Sequence, residues 1–160
     1  MRKSYGLPAA TLIALALAGC GKDPKAEAAK DVHALFVAAQ SGDAEAFNAA
    51  IDREKLKIDL RNQARDAARL QGIDIGGPSD AALDRMIGPD VLRQVRQAGP
   101  GEPPSVEQVA ETLRIEDRTR ACVPAAAPPA CALTFEKQGP RWKLIGVQTS
   151  GIVLKAGEAD

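Results

Sequence analysis

Apolar residues recur with two different periods along this chain of 160 residues, and the change of period constrains the fold most strongly. Between residues 30 and 113 they return every three or four positions, which indicates amphipathic helices. From residue 114 onward apolar and polar side chains alternate, as in strands with one buried face. Because a thin sheet needs a cover and helices are available, we expect an α+β domain, with N-terminal helices packed on a small C-terminal antiparallel sheet.

Turn and capping residues divide the helical part. Asp43 is expected to cap a short second helix, a third helix begins near Arg53, and Ser79 caps a fourth. A further helix is expected over residues 90–97, after a proline suited to a first turn. Residues 105–113 fit either one more short helix or an irregular lead-in to the sheet.

The last third predicts a meander of about three strands. A turn at Gln138-Gly139-Pro140 separates two alternating segments, and residues 152–154 are a candidate edge strand. The resulting division of the chain is a single domain over residues 30–155, helical in 30–113 and with strands in 114–154, followed by a loose tail at 156–160.

The first residues have the layout of a secretory leader. Arg2 and Lys3 precede the apolar run Leu7–Ala18, whose 12 residues fall short of the roughly 20 needed to span a bilayer but suit a signal peptide. The run ends in Leu17-Ala18-Gly19-Cys20, which resembles the lipobox of bacterial lipoproteins. The alternatives are an ordinary secretory signal that carries a cysteine and a short buried helix.

The lipobox resemblance implies how the chain is processed and where in the cell it is located. Residues 1–19 would be removed by the lipoprotein signal peptidase, which recognises Leu17, Ala18 and Gly19, and the Cys20 thiol would carry lipid, including palmitate. Residues 20–29 would be a lipidated tether that holds a periplasm-facing domain to a membrane of the bacterial cell envelope. In the enteric sorting rule an aspartate after the lipidated cysteine retains a protein in the inner membrane. Gly21 stands there, which favours the outer membrane.

The chain has three cysteines, and lipid on the first leaves Cys122 and Cys131 as a pair in an oxidising compartment. Three prolines lie between them and favour a stiff loop, so a disulfide across its base is expected. Free thiols and a catalytic pair are the alternatives. A metal site is not expected, because the single histidine, His33, is distant in sequence.

Two sequence blocks resemble a bacterial envelope family known as domain of unknown function 2939. The resemblance covers AAQSGDAEAFNAAIDREKLKIDLRNQ and LTFEKQGPRWKLIGVQ, but the glycine-rich connector and the cysteine loop between them depart from the family. It implies an envelope location and no established activity. The closing hairpin also resembles the cone-shaped folds of the nuclear-transport-factor-2-like kind, in which helices wrap a curved sheet around a pocket. The positions that match domain of unknown function 2939 are Asp43, Phe47, Ile51, Asp52, Leu56, Leu60, Gly139, Trp142, Lys143 and Leu144.

Charge and motifs exclude several activities. After the leader, 19 basic and 21 acidic side chains remain, a balance that does not favour nucleic acid. The segment from Gly72 to Asp80 lacks the Gly-Lys-Ser/Thr ending of a phosphate-binding loop. His33 is interpreted as a structural residue. The acidic pairs Asp52/Glu54 and Glu116/Asp117 are interpreted as a charged helix start and a solvated strand.

No set of residues predicts catalysis or a cofactor, so we expect a non-enzymatic domain that binds an envelope protein or a small ligand. Trp142 is interpreted as a core residue, with an anchor in a pocket or partner surface as the alternative. Two further hypotheses are a cone-fold enzyme with Asp52 or Glu54 as base and a purely structural envelope component.

Overall fold

The computed structural model describes residues 23–73, 76–90, 92, 102–125 and 130–148. Within these ranges helices pack on one antiparallel sheet, so the predicted α+β class is confirmed. Four strands are present where the sequence predicted about three. The helices are α1 Pro24–Ser41, α2 Ala44–Ala49, α3 Arg53–Leu70, α4 Asp80–Met86 and α5 Val106–Thr112, and the strands are β1 Arg114–Ile115, β2 Arg120–Pro124, β3 Cys131–Gln138 and β4 Arg141–Val147.

Helix α1 begins at Pro24, so the predicted tether over residues 20–29 was too long. Asp23 is the N-cap and accepts a hydrogen bond from the Lys25 N–H at 3.0 Å, and the proline occupies the first turn. Proline suits that position because its missing N–H would have no partner there. Ala28 and Ala29 are fully buried, so the end of the predicted tether belongs to the core.

The other N-caps follow the same local chemistry. Asp43, Asp52 and Ser79 each accept a hydrogen bond from a backbone N–H in the first turn of their helices. The undecided segment before the sheet is a helix with a capping box, in which the Ser105 and Gln108 side chains each bond the other's backbone N–H.

The sheet is a meander in the order β1-β2-β3-β4. Strand β1 has only two residues, and an alternating pattern of apolar and polar side chains cannot be recognised over so short a segment. The sequence therefore predicted one strand fewer. Glu116 and Asp117 were predicted on a strand but lie in the β1–β2 turn. Asp117 builds that turn, because one carboxylate oxygen accepts hydrogen bonds from the Thr119 and Arg120 N–H groups.

The core lies between the helices and one face of the sheet. Its largest fully buried side chains are Trp142, Phe135, Leu35, Leu56, Leu83, Leu113 and Leu144. Phe135 pairs with Leu144 across β3 and β4, beside a register shift between Thr134 and Phe135. With few aromatic residues available, the helices supply leucine and alanine to fill the remaining space.

Among the described strands β4 lies at one end of the sheet, and its outer edge is covered by polar groups from the helical half. Asp31 of α1 accepts from the Trp142 N–H at 2.8 Å. The linker before α3 bonds Leu144 on both sides, through the Ala50 carbonyl and the Asp52 N–H. This covering satisfies backbone groups that would otherwise invite pairing with another chain.

Several predicted segments lie outside the described residues. These are the leader and Cys20, most of the predicted helix over residues 90–97, the candidate edge strand over 152–154 and the tail over 156–160. Pro89, Asp90 and Leu92 are helical, in line with the start of the predicted helix.

Candidate functional site

The cysteine pair forms the predicted disulfide. Cys122 on β2 and Cys131 on β3 are bonded, with their Cα atoms 5.5 Å apart. A register shift between Val123 and Pro124 places Cys131 opposite Pro124. The two cysteine residues differ in exposure, because Cys122 is 0% exposed whereas Cys131 is partly exposed.

Two charged side chains, one on β1 and one directly after it, lie next to this disulfide. Arg114 pairs in register with Cys122, and its Nη2 lies 3.3 Å from the Cys122 Sγ and 3.7 Å from the Cys131 Sγ. The same Nη2 lies 3.3 Å from the Glu116 carboxylate, which is itself 3.6 Å from the Cys131 Sγ. The last distance is a contact without a hydrogen bond, because a disulfide sulfur carries no proton. We name Arg114, Glu116, Cys122 and Cys131 the disulfide cluster.

The disulfide cluster contains three potential metal ligands. A Glu116 oxygen and the two sulfurs all lie within 4.8 Å of one another. Zinc, however, is bound by thiolates, and here the sulfurs are bonded to each other. The guanidinium of Arg114 adds positive charge next to both sulfurs. In the oxidised state this arrangement therefore opposes cation binding.

Trp142 lies in the core, 1% exposed, so its ring is not on a surface that a partner could contact. The Lys137 ammonium lies 5.9 Å from the ring centroid, within range of a cation–π interaction. The buried Trp142 Nε1–H has no hydrogen-bond partner among the described residues. The sequence interpretation of Trp142 as a core residue agrees with this placement, whereas an anchor on a partner surface does not. An anchor in a pocket stays a prediction.

Both carboxylate oxygens of Asp52, the candidate base of the enzyme hypothesis, accept hydrogen bonds within the fold. Oδ1 accepts from the Lys55 N–H and Oδ2 accepts from the Gln138 side chain at 2.6 Å. Burial alone would raise the pKa of Asp52, but these hydrogen bonds and the charges of Lys55 and Lys143 lower it below its ordinary value. A lowered pKa makes the carboxylate a weaker base. Glu54, the other candidate, is an exposed residue that pairs with Lys57 at 3.6 Å.

Asp59 of α3 is a titrating group that the sequence analysis missed. Its Oδ2 accepts from the Val147 N–H at 3.1 Å and from the Gln63 side chain at 2.7 Å, and Gln63 also donates to the Val147 carbonyl. Burial raises the pKa of Asp59, and these neutral donors offset it only in part. Leu56, Asp59, Leu60 and Gln63 share one helical face, so polar residues within an apolar stripe were the available signal.

We expect Asp59→Asn to remove a pH dependence of stability. Because the folded-state pKa is raised, the folded protein holds this proton more tightly than the unfolded chain does. The resulting stabilisation is present below the ordinary value of 3.8 and is lost as the pH rises through the folded value, so the ionised carboxylate is unfavourable at pH 7. An asparagine oxygen can accept both hydrogen bonds without charge. The variant should therefore be at least as stable as the parent at pH 7, with the difference shrinking toward pH 4.

Urea unfolding between pH 4 and pH 7 measures this difference. Asp66→Asn is the matched control, because Asp66 lies on the same helix with its side chain 72% exposed. A loss of stability in Asp59→Asn that is equal at both pH values would contradict the interpretation of Asp59.

His33 has a structural role, as interpreted from sequence. Its Nδ1 lies 2.8 Å from the Pro104 carbonyl, so the ring donates a hydrogen bond that fixes the segment before α5 against α1. The chemistry-bearing side chains that the sequence selected are thus dispersed over the fold, apart from Glu116 and the two cysteines.

Comparisons with family models, with curated proteins and with solved structures found no match. Membership of the envelope family proposed from the two sequence blocks therefore stays a prediction. Among the described residues, no helix combines the length and the apolar character needed to cross a membrane.

Proposed function

We propose that this chain is a bacterial envelope lipoprotein, whose lipidated Cys20 holds a non-enzymatic binding domain at the membrane surface. The observation that carries the proposal is the motif Leu17-Ala18-Gly19-Cys20, which follows a basic start and a 12-residue apolar run. Each part suits a lipoprotein leader, and two or three acyl chains provide a stable anchor where one does not. The resemblance to the family of unknown function supports the same location.

The residue at which α1 begins limits how far the domain can lie from the proposed lipid anchor. With Cys20 lipidated, three residue steps separate the anchor from Asp23, the cap of α1. A fully extended chain covers at most about 3.5 Å per residue, so the cap lies within about 10 Å of the anchored cysteine. The domain would then face the periplasm from close to the bilayer, with the first turn of α1 nearest the lipid.

The roles of the polar side chains favour binding over catalysis. Asp52 caps α3, Asp59 holds the end of β4, Asp117 builds a turn and His33 fixes a loop segment. An acid–base enzyme needs such groups available to a substrate, and here they are occupied by the backbone. The proposed partner is an envelope protein or a small ligand, with the outer membrane favoured over the inner by Gly21.

We expect Cys20→Ser to abolish lipidation and membrane attachment. In a Gram-negative host fed an alkyne-tagged palmitate, the parent chain should carry the label and sediment with membranes. The variant should be unlabelled and remain at the precursor mass, because a hydroxyl cannot take the place of the thiol. Cys131→Ser is the matched control and should stay labelled and membrane-bound. Label retained on Cys20→Ser would refute the proposed anchor.

Two further measurements separate the parts of the proposal. Gly21→Asp should move the protein from the outer-membrane to the inner-membrane fraction where the host follows the enteric sorting rule. Crosslinking of the anchored protein in cells, followed by mass spectrometry, tests the binding role. An anchored protein that crosslinks to no envelope protein and retains no small ligand in native mass spectrometry would contradict that role and leave the anchor intact.

A further inference from the structure

The two cysteine residues of the disulfide cluster are unequal in exposure. An attacking thiolate must approach a disulfide sulfur directly, so the reaction depends on which sulfur it can reach. Cys122 is 0% exposed, whereas Cys131 is partly exposed. An external thiol therefore reaches Cys131 first, and Cys122 is the sulfur that must leave.

The leaving sulfur is the one with the nearer cation. Arg114 Nη2 lies 3.3 Å from the Cys122 Sγ and 3.7 Å from the Cys131 Sγ. A sulfur that departs as a thiolate carries a full negative charge, and a neighbouring guanidinium stabilises that charge. A thiolate buried without such a neighbour would be strongly disfavoured. The position of Arg114 thus suits the product of disulfide cleavage.

Glu116 lies on the side of the exposed sulfur. Its carboxylate is 3.6 Å from the Cys131 Sγ and is held by Arg114 at 3.3 Å. Because Cys131 is partly exposed, it takes its proton from solvent once it is released as a thiolate. Glu116 thus keeps the Arg114 guanidinium beside the disulfide.

We infer that Cys122–Cys131 is an exchangeable disulfide, reduced by an external dithiol that attacks Cys131 while Arg114 stabilises Cys122 as the departing thiolate. This is a reaction site beyond the proposed lipid anchor and binding role, and it depends on neither. The co-reactant is a dithiol, either a small molecule or the reduced thiol pair of an oxidoreductase.

The reaction balances in two steps. A thiolate of the dithiol forms a bond to the Cys131 sulfur, the Cys122–Cys131 bond breaks, and its electron pair leaves on Cys122. The second thiol of the dithiol loses its proton to solvent and attacks the dithiol sulfur that is bonded to Cys131. The dithiol closes its own disulfide, and Cys131 is released as a thiolate. Cys131 takes up a proton from solvent. The dithiol is thereby oxidised to a disulfide, and the protein pair gains two electrons.

The test uses the full chain with Cys20→Ala, in which Cys122 and Cys131 are the remaining cysteines. Reduction by dithiothreitol is followed by rapid alkylation and mass spectrometry. Arg114→Met should slow reduction by about three- to tenfold, because a leaving thiol without its cation departs more slowly. Arg118→Met is the matched control, since it removes the same charge from an exposed residue of the same turn and should leave the rate unchanged.

Two further readouts distinguish this role from a structural one. Glutathione, quenched with acid during the reaction, should be found on Cys131 and not on Cys122. In Cys20→Ala/Cys131→Ala, the pH midpoint for alkylation of Cys122 should rise by about one unit when Arg114→Met is added. An equal reduction rate in Arg114→Met and Arg118→Met, or glutathione trapped on Cys122, would overturn the inference.

Discussion

Replacing Trp142 with alanine is expected to lower the free energy of unfolding by about 3–5 kcal/mol, the range for deleting a large aromatic side chain from a packed core. Trp142 is 1% exposed and is the largest of the fully buried side chains. The domain has few other aromatic residues to fill the space, so the cavity would persist. Because Trp142 is the sole tryptophan, urea unfolding should be followed by far-ultraviolet circular dichroism.

Trp142→Phe is the control that separates ring volume from the indole N–H. Phenylalanine keeps most of the apolar contact and removes the Nε1–H, which has no hydrogen-bond partner among the described residues. Burying such a donor is itself unfavourable, so the loss should stay below about 2 kcal/mol. If Trp142→Ala cost no more than Trp142→Phe, the ring would not be a main support of the core.

Removing the disulfide is expected to lower the free energy of unfolding by about 2–3 kcal/mol, the chain-entropy value for a loop of about ten residues. The comparison is between Cys122→Ala/Cys131→Ala and its parent, both with Cys20→Ala. The effect arises chiefly in the unfolded chain, which gains freedom when the covalent link is absent. The three prolines of the loop already restrict the unfolded chain, so the expected loss in the free energy of unfolding lies at the lower end of this range.

The parent protein reduced with excess dithiothreitol provides a second measurement of the same quantity. It keeps both cysteine side chains, so agreement with the alanine variant would assign the loss to the covalent link. A much larger loss in the alanine variant would instead assign it to the packing of the buried Cys122 side chain. A loss below about 1 kcal/mol in both samples would contradict the expectation.

Local features of the fold were predictable because their physical cause is local. Asp43 and Ser79 cap the helices that follow them, and the alternation in residues 132–137 marks β3. The pairing of Cys122 with Cys131 followed from counting cysteines rather than from structure. One local signal was misread, since Asp23-Pro24 is an N-cap and first turn and lies within the predicted tether.

The surroundings of the disulfide were not predictable in the same way. Arg114 lies beside Cys122 because β1 pairs with β2 in one register, and a shift of one residue would turn its side chain to the other face of the sheet. The same holds for the edge of β4, where Asp31 and Asp59 from two different helices each bond a backbone N–H. The residues next to Asp31 and Asp59 in the sequence do not indicate which backbone N–H each one bonds.

The sequence by itself determined the helical and strand halves, most helix starts, the cysteine pair and, as a prediction, the lipid address at Cys20. These depend on hydrophobic period, capping chemistry and short motifs, which act within a few residues. Tertiary structure decided between a core position and a partner surface for Trp142, and it alone showed that Asp59 is a partly buried acid and that Arg114 faces two sulfurs. Burial and charge contact depend on which distant segments meet, and strand register and helix packing settle that only when the whole domain folds.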